Sequence, residues 1–207
     1  MAVSDVAICN LALQKLGAIR ITSLSDDSPN ARSCNACYTV LRDEEMGSYP
    51  WNFAKKRIVL APSATAPAFD YTYAFPLPTD CLSVLLPNRT TLDWLIEQND
   101  GVLSILTNEG NSINLRYLAK VTDPTRFDQS FVLALAYKMA FHMAEEITQS
   151  NEKKTEAAQA YKDVIARAKR NNAFQNEPID APEDTWLTVQ RNGIGSKVAP
   201  GSWYSVG

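Results

Sequence analysis

The chain has 207 residues, of which 45% are hydrophobic and 21% are charged, so it is large enough to build a real core as one large domain or two small ones. A net charge of −3 and a pI of about 5.2 argue against a general attraction to nucleic acid or to an anionic membrane surface. The first residues do not resemble a secretory signal, and the longest apolar run, residues 131–141, is too short to span a bilayer. The four cysteines are therefore expected to be reduced thiols.

Two helices are predicted in the first fifty residues. Ser4 is a suitable N-cap for the first helix, and Gly17 is a suitable end for it. Ser28 is a suitable N-cap for the second helix, which has Pro29 at its first position. Pro50 marks the end of this second helix, because the residue before a proline avoids the helical conformation.

An antiparallel β module is predicted where the hydrophobic period changes from helical to alternating, over residues 51–121. Turn-forming sequences at residues 99–101 and 109–111 predict hairpins within it. Pro76 and Pro78 confine their segment to a sheet edge. The candidate strands are residues 56–60, 69–75, 81–86, 91–96, 102–107 and 113–118.

One predicted strand is unusually aromatic. Within residues 69–75 the aromatic positions alternate with Asp70, Thr72 and Ala74, so all four rings are expected to share one face of the strand. The four rings are those of Phe69, Tyr71, Tyr73 and Phe75.

Two long helices follow the β module, over residues 128–149 and 150–174, and Ser150 is a suitable N-cap for the second. The last 33 residues contain three prolines and four glycines and have no usable period. The predicted fold class is α+β, a helical bundle of four main helices with an inserted small antiparallel β module and an extended C-terminal arm. The predicted domains are residues 1–50 with 122–174 (helical), 51–121 (β module) and 175–207 (arm).

His142 is the only histidine of the chain, and Glu145 and Glu146 follow it at helical spacing. On a helical wheel Lys138, His142 and Glu145 lie within about 40° of Phe131, which places them on a narrow polar stripe of a mostly apolar helix. A zinc site needs three or four ligands, and the two-histidine zinc motifs cannot occur here. We therefore predict a structural or interface role for His142, with no catalytic residue, metal or cofactor.

Two further short motifs have ordinary structural interpretations. Cys34 and Cys37 form a C-x-x-C spacing, but it falls inside a helix rather than opening one, so both are predicted to be core cysteines. Lys55, Lys56 and Arg57 form the tightest basic cluster and are interpreted as a solvated strand end. The glycines do not form a phosphate-binding loop.

The chain contains more apolar helix and more aromatic residues than an isolated domain needs. The third predicted helix is apolar around most of its circumference, so neighbouring subunits could cover part of it. Its predicted core residues are Leu133, Leu135, Met139, Met143 and Ile147. Trp186, Trp203 and Tyr204 in the arm are predicted to anchor it, either on a neighbouring subunit or on its own bundle.

Three long segments carry a resemblance to a known family. They are ICNLALQKLGAIRITSLSDDSPNARSCNACYTVLRDEEMGSYPWNFAKKRIVLA, then YTYAFPLPTDCLSVLLP, then INLRYLAKVTDPTRFDQSFVLALAYKMAFHMAEEITQS. In this order and spacing they resemble the tail tubular protein A family, the head-to-tail adaptors of short-tailed bacteriophages. The resemblance extends to about Phe174.

The resemblance implies a structural virion protein rather than an enzyme. It implies a closed ring of twelve subunits at the head–tail junction, assembled in the host cytoplasm, which binds the portal protein above and the tail nozzle protein below. Tail fibres would attach at the junction, and genomic DNA would pass through the bore without sequence-specific binding or any membrane partner. The candidate interface residues are Trp51, Phe53, Phe69, Tyr71, Tyr73, His142, Trp186, Trp203 and Tyr204.

Two alternatives from other functional classes remain open. One is a virion-associated hydrolase of cell-wall glycan, with Glu145 or Glu146 as the general acid. The other is a DNA-binding packaging factor that uses Lys55, Lys56 and Arg57.

Overall fold

A computed structural model describes residues 3–87 and 93–175, without the side chains of residues 86 and 87. This part of the chain has four helices and two antiparallel sheets of three strands each, so the fold is α+β. The predicted C-terminal arm from residue 176 on, with Trp186, Trp203 and Tyr204, lies outside the described residues. The helices are α1 (Asp5–Leu16), α2 (Pro29–Gly47), α3 (Gln129–Thr148) and α4 (Asn151–Phe174). The strands are β1 (Lys55–Leu60), β2 (Tyr73–Pro76), β3 (Cys81–Pro87), β4 (Trp94–Asn99), β5 (Val102–Thr107) and β6 (Ile113–Ala119).

The ends of α1 and α2 lie where the sequence predicts them. The Ser4 hydroxyl accepts a hydrogen bond from the Ala7 N–H at 3.1 Å, and the Ser28 hydroxyl accepts one from Ala31 at 3.2 Å. Gly17 ends α1 in the left-handed conformation, with φ of 72°, which favours glycine. The predicted caps are therefore confirmed.

The ends of α3 and α4 are also set by capping side chains. The Asp128 carboxylate accepts a hydrogen bond from the Ser130 N–H at 2.7 Å, and the Ser150 hydroxyl accepts one from Lys153 at 3.3 Å. Gln149 ends α3 with φ of 50°, so the chain turns at once into α4. This confirms the two predicted helices and their boundary.

Each sheet has one central strand. Sheet A has the order β1-β6-β3, and sheet B has the order β2-β5-β4. In sheet B, Asp100 and Gly101 have φ of 51° and 76° and connect β4 to β5, with Asn99 opposite Val102. This is the two-residue hairpin that the sequence predicts.

The second predicted hairpin, at residues 109–111, is wrong. β5 pairs with β2 and β4, whereas β6 pairs with β1 and β3, so this connection crosses from one sheet to the other. A turn sequence shows that the chain can reverse, but the apolar faces determine which strand it then joins. Here both sheets contribute apolar residues to one core, which includes Phe75 and Ile105 from sheet B and Leu115 and Tyr117 from sheet A.

The predicted aromatic strand is much shorter than expected. β2 begins only at Tyr73, because Asp70 has φ of 65° and the Tyr71 N–H donates to the Phe69 carbonyl at 2.8 Å, which closes a tight turn. Phe69 is 77% exposed while Phe75 is fully buried, so the four rings do not share a face and that prediction is wrong. The prediction that the segment with Pro76 lies at a sheet edge is confirmed, because β2 is an outer strand of sheet B and ends at Pro76.

A second apolar core lies among the helices. On α3, Leu135, Met139 and Met143 are buried as predicted, whereas Ile147 is half-buried. Leu133 is 41% exposed, so the prediction that it belongs to the core is wrong: it lies on the outer side of α3. No helix among residues 3–87 and 93–175 is long and apolar enough to cross a membrane.

Candidate interaction surfaces

Trp51 and Phe53 lie at the junction between the helices and sheet A. The Trp51 ring is fully buried, 5.2 Å from the Phe131 ring, and its Nε1–H donates to the Glu45 carbonyl at 3.0 Å. Phe53 is half-buried, with its ring 4.9 Å from Phe131 and 5.6 Å from Phe127. The structure therefore uses these two predicted interface residues within the core of the chain itself, where edge-to-face aromatic pairs add to the burial of apolar area.

The aromatic residues before and within β2 have different surroundings. Phe69 is exposed, whereas Tyr71 and Tyr73 are half-buried. A Cβ atom on Gly110 would approach the Tyr73 ring to 2.6 Å, so the ring lies directly against the backbone there. Of these three predicted interface residues, only Phe69 has a largely exposed apolar side chain that a partner could contact.

The structure does not gather His142, Glu145 and Glu146 into one site. His142 is exposed and makes an edge contact with the Phe141 ring at 5.2 Å. Glu145 pairs with Lys154 on α4, and Glu146 accepts a hydrogen bond from the Ser33 hydroxyl at 2.7 Å. The hydrogen bond and positive charge of Lys154 lower the pKa of Glu145, whereas a general acid needs a raised pKa.

A buried charge cluster, defined as Glu45, Lys138 and Tyr161, joins α2, α3 and α4. The Glu45 Oε2 atom accepts from the Lys138 ammonium at 3.0 Å and from the Tyr161 hydroxyl at 2.6 Å, and Glu44 lies 3.1 Å from the same ammonium. Burial and the Glu45 carboxylate raise the pKa of Tyr161. The other Glu45 oxygen is buried without a hydrogen-bond partner.

The helical wheel places Lys138 on a polar stripe with His142 and does not predict this cluster. The structure corrects that placement, because the Lys138 side chain is only 7% exposed and points toward Glu45, while His142 remains at the surface. The one feature of the sequence that could have predicted the cluster is a lysine in an otherwise apolar stretch of helix, because a buried ammonium requires a buried carboxylate or equivalent partner. No pattern in the sequence indicates which of the 23 acidic residues is that partner.

Three of the four cysteines lie together between α1 and α2, whereas Cys81 is on β3. Cys9 and Cys34 are fully buried and Cys37 is half-buried, and none of them forms a disulfide. The neighbouring Cys34 thiol and burial raise the pKa of Cys9, and burial raises the pKa of Cys37 to about 12. The Cys9 and Cys37 thiols therefore remain protonated near neutral pH, whereas the hydrogen bond with Cys9 lowers the pKa of Cys34. Full burial of Cys34 agrees with a core residue.

Exposed apolar side chains occur on several elements. Five are more than 60% exposed, and they extend from the α1–α2 connection to the end of α4. Single exposed apolar side chains are ordinary at a protein surface, and it is contiguous patches of them that mark interaction sites. The five are Ile19, Val40, Val59, Phe69 and Phe174.

The geometry of the described residues does not assemble a metal site. Among residues 3–87 and 93–175, no group of three or more histidine, cysteine, aspartate or glutamate side chains is arranged to hold a metal ion. The chain matches no protein-family model. It also has no match among curated proteins.

Proposed function

We propose that this chain is a structural virion protein, a head-to-tail adaptor that forms a ring on the portal and joins it to the tail nozzle. The observation that carries the proposal is the order of three long segments that resemble the tail tubular protein A family. The proposed ring would let genomic DNA pass through its bore.

The distribution of side chains supports this proposal. Within the described residues, the acids around His142 are engaged in ion pairs and hydrogen bonds between elements, and Cys9 and Cys34 are buried. Apolar side chains are instead exposed on the helices, including Val40 on α2 and Phe174 on α4. A ring made by a heterologous contact needs two different surfaces on each subunit, and apolar positions on separate elements suit that requirement.

We further propose that the helical part forms the ring and that the β module and the C-terminal arm face the partner proteins. Leu133 is the position on α3 that supports this division, because it is a leucine with 41% of its surface exposed on a helix that is otherwise largely buried. A neighbouring subunit that covered Leu133 would bury the outer side of α3.

The hydrolase alternative is disfavoured by the surroundings of Glu145. Its carboxylate is held ionised by Lys154, and a carboxylate of lowered pKa is a poor proton donor at neutral pH. Loss of turbidity from purified cell wall, abolished by Glu145→Gln or Glu146→Gln, would restore that alternative.

Size-exclusion chromatography with light scattering, with and without portal rings, tests the proposal. Twelve copies of a 22.9 kDa chain have a mass of about 275 kDa, which the wild-type protein is expected to add to the portal. Leu133→Asp should prevent ring formation because it places a charge in the proposed subunit contact, whereas the matched control Leu133→Met should not. Phe69→Asp should leave the ring intact. A wild-type chain that stays monomeric with the portal present would overturn the proposal.

A further inference from the structure

The outer face of sheet A carries two arginines directly opposite each other. Arg57 of β1 is paired with Arg116 of β6, and both side chains are exposed. Alternate residues of β6, Leu115 and Tyr117, point into the core between the sheets, so Arg116 lies on the other face of the strand. On that same face Leu118 packs into the helical core, so the arginines lie where the sheet extends beyond the helices.

Neither arginine forms an ion pair with a carboxylate of the described residues, although other basic residues nearby do. Lys56, which alternates to the inner face, is 2.6 Å from Asp80, and Lys120 is 2.6 Å from Asp43. Two like charges directly opposite each other in an antiparallel pair repel. The repulsion is relieved when an anion lies between the two guanidinium groups.

Lys55 adds a third positive group to the border of this face. It lies two residues before Arg57 on β1, so it belongs to the same face, and its ammonium donates to the Asn52 side chain at 2.8 Å. Burial and the positive charge of Arg116 lower the pKa of Lys55, in keeping with the position of both residues on one face of the β1–β6 pair. Asn114, opposite Val59, is an exposed neutral donor on the same face.

We propose that this face, defined as Arg57, Arg116, Lys55 and Asn114, binds the phosphate backbone of duplex DNA. The inference deepens the proposed function and rests on it, because genomic DNA is the polyanion that the proposed adaptor would encounter. It assigns this one face of the β module to the DNA path and leaves the rest of the module to the partner proteins. Guanidinium forks match phosphate geometry, and an asparagine amide also donates to phosphate oxygens. These four residues are not aromatic, so they offer no platform for stacking bases, and the contact is independent of sequence.

This set of residues differs from the basic triplet of the sequence. Lys56 belongs to that triplet but points to the opposite face and is paired with Asp80, whereas Arg116 joins the set from a strand 59 positions later. A single copy with a net charge of −3 binds DNA weakly. A ring repeats the face in every subunit, and linked weak contacts then act together.

Fluorescence anisotropy of a labelled duplex, titrated with the full-length protein alone and in its portal complex, tests the inference. The double variant Arg57→Gln/Arg116→Gln should weaken binding at low salt at least tenfold. It should also reduce the magnitude of the slope of log affinity against log salt concentration. Each lost phosphate contact removes about 0.9 from that slope, so the loss of two arginines removes about 1.8 for each subunit that contacts the DNA. The matched control Lys56→Gln, on the same strand but the opposite face, should bind DNA as the wild type does.

The outcomes separate this inference from the proposed function. Equal DNA binding by wild type and double variant would overturn the inference, even if rings form normally. Loss of ring assembly in the double variant, without any DNA binding by the wild type, would also overturn it and would identify the face as a contact for an acidic protein surface. DNA binding that depends on the arginines in a chain that never forms a ring would support this face while refuting the adaptor function.

Discussion

Replacement of Lys138 by methionine tests the importance of the buried charge cluster. The Lys138 side chain is 7% exposed and that of Glu45 is 1% exposed, so the substitution leaves a buried carboxylate without its cation. Removing one partner of a buried ion pair costs about 3–5 kcal/mol. For a chain of this size about 1 kcal/mol corresponds to roughly 2–4 °C, so the midpoint of thermal unfolding should fall by about 6–20 °C.

The cost should depend on which partner is removed. Glu45→Gln should lower the free energy of unfolding less than Lys138→Met does. The Lys138 ammonium would still have the Glu44 carboxylate at 3.1 Å, and the glutamine amide oxygen could still accept a hydrogen bond from the Tyr161 hydroxyl. The double variant Glu45→Gln/Lys138→Met should be more stable than Lys138→Met alone, since it contains no unpaired buried charge.

Urea unfolding followed by circular dichroism at 222 nm measures these differences. The matched control is Lys153→Met, which removes an exposed ion pair with Glu156 and should change the free energy of unfolding by less than about 0.5 kcal/mol. A cost below about 1 kcal/mol for Lys138→Met, or strictly additive effects in the double variant, would refute the reasoning.

Three further predictions concern other parts of the chain. Gly110→Ala should lower the free energy of unfolding by about 1–3 kcal/mol in a denaturant titration, because the new methyl group overlaps the Tyr73 ring. The hydrogen bond from Lys56 lowers the pKa of Asp80 in the folded protein below the unfolded pKa of about 3.9. The Asp80 carboxylate therefore contributes its full stabilisation above the unfolded pKa and loses it as the pH falls through the lower folded pKa. Asp80→Asn should therefore flatten that part of the acid unfolding curve. Deletion of residues 176–207 should leave helical circular dichroism intact, since residues up to Gln175 form one compact unit, but should impair assembly into tailed particles.

Each of these three has an outcome that contradicts it. Gly47→Ala is the control for the glycine, because its new methyl group would meet only Leu82 at 3.8 Å; equal costs for the two glycine substitutions would refute the overlap argument. An acid curve of Asp80→Asn that coincides with the wild type would mean that this carboxylate does not contribute. Normal particle assembly by the truncated chain would show that the arm is dispensable.

The parts of the fold that the sequence predicts well are those set by neighbouring residues. Ser4, Ser28, Asp128 and Ser150 cap their helices because a short polar side chain reaches the N–H group two or three residues ahead. The two-residue turn at Asp100 follows from similarly local conformational preferences.

The features that the sequence does not predict depend on distant contacts. The alternation over residues 69–75 satisfies a strand pattern, yet Asp70 adopts a left-handed conformation that breaks it. The partners of β5 and β6 depend on which faces become buried together. Lys138 and Glu45 are 93 residues apart, and a helical wheel of α3 contains no information about α2.

Two-dimensional class averages from electron micrographs of the portal mixed with this protein test the adaptor proposal most directly. The expected result is an additional closed ring of twelve subunits on one face of the portal, in register with its axis. The proposal would be contradicted if the portal particles showed no additional ring and the protein sedimented as a 22.9 kDa monomer.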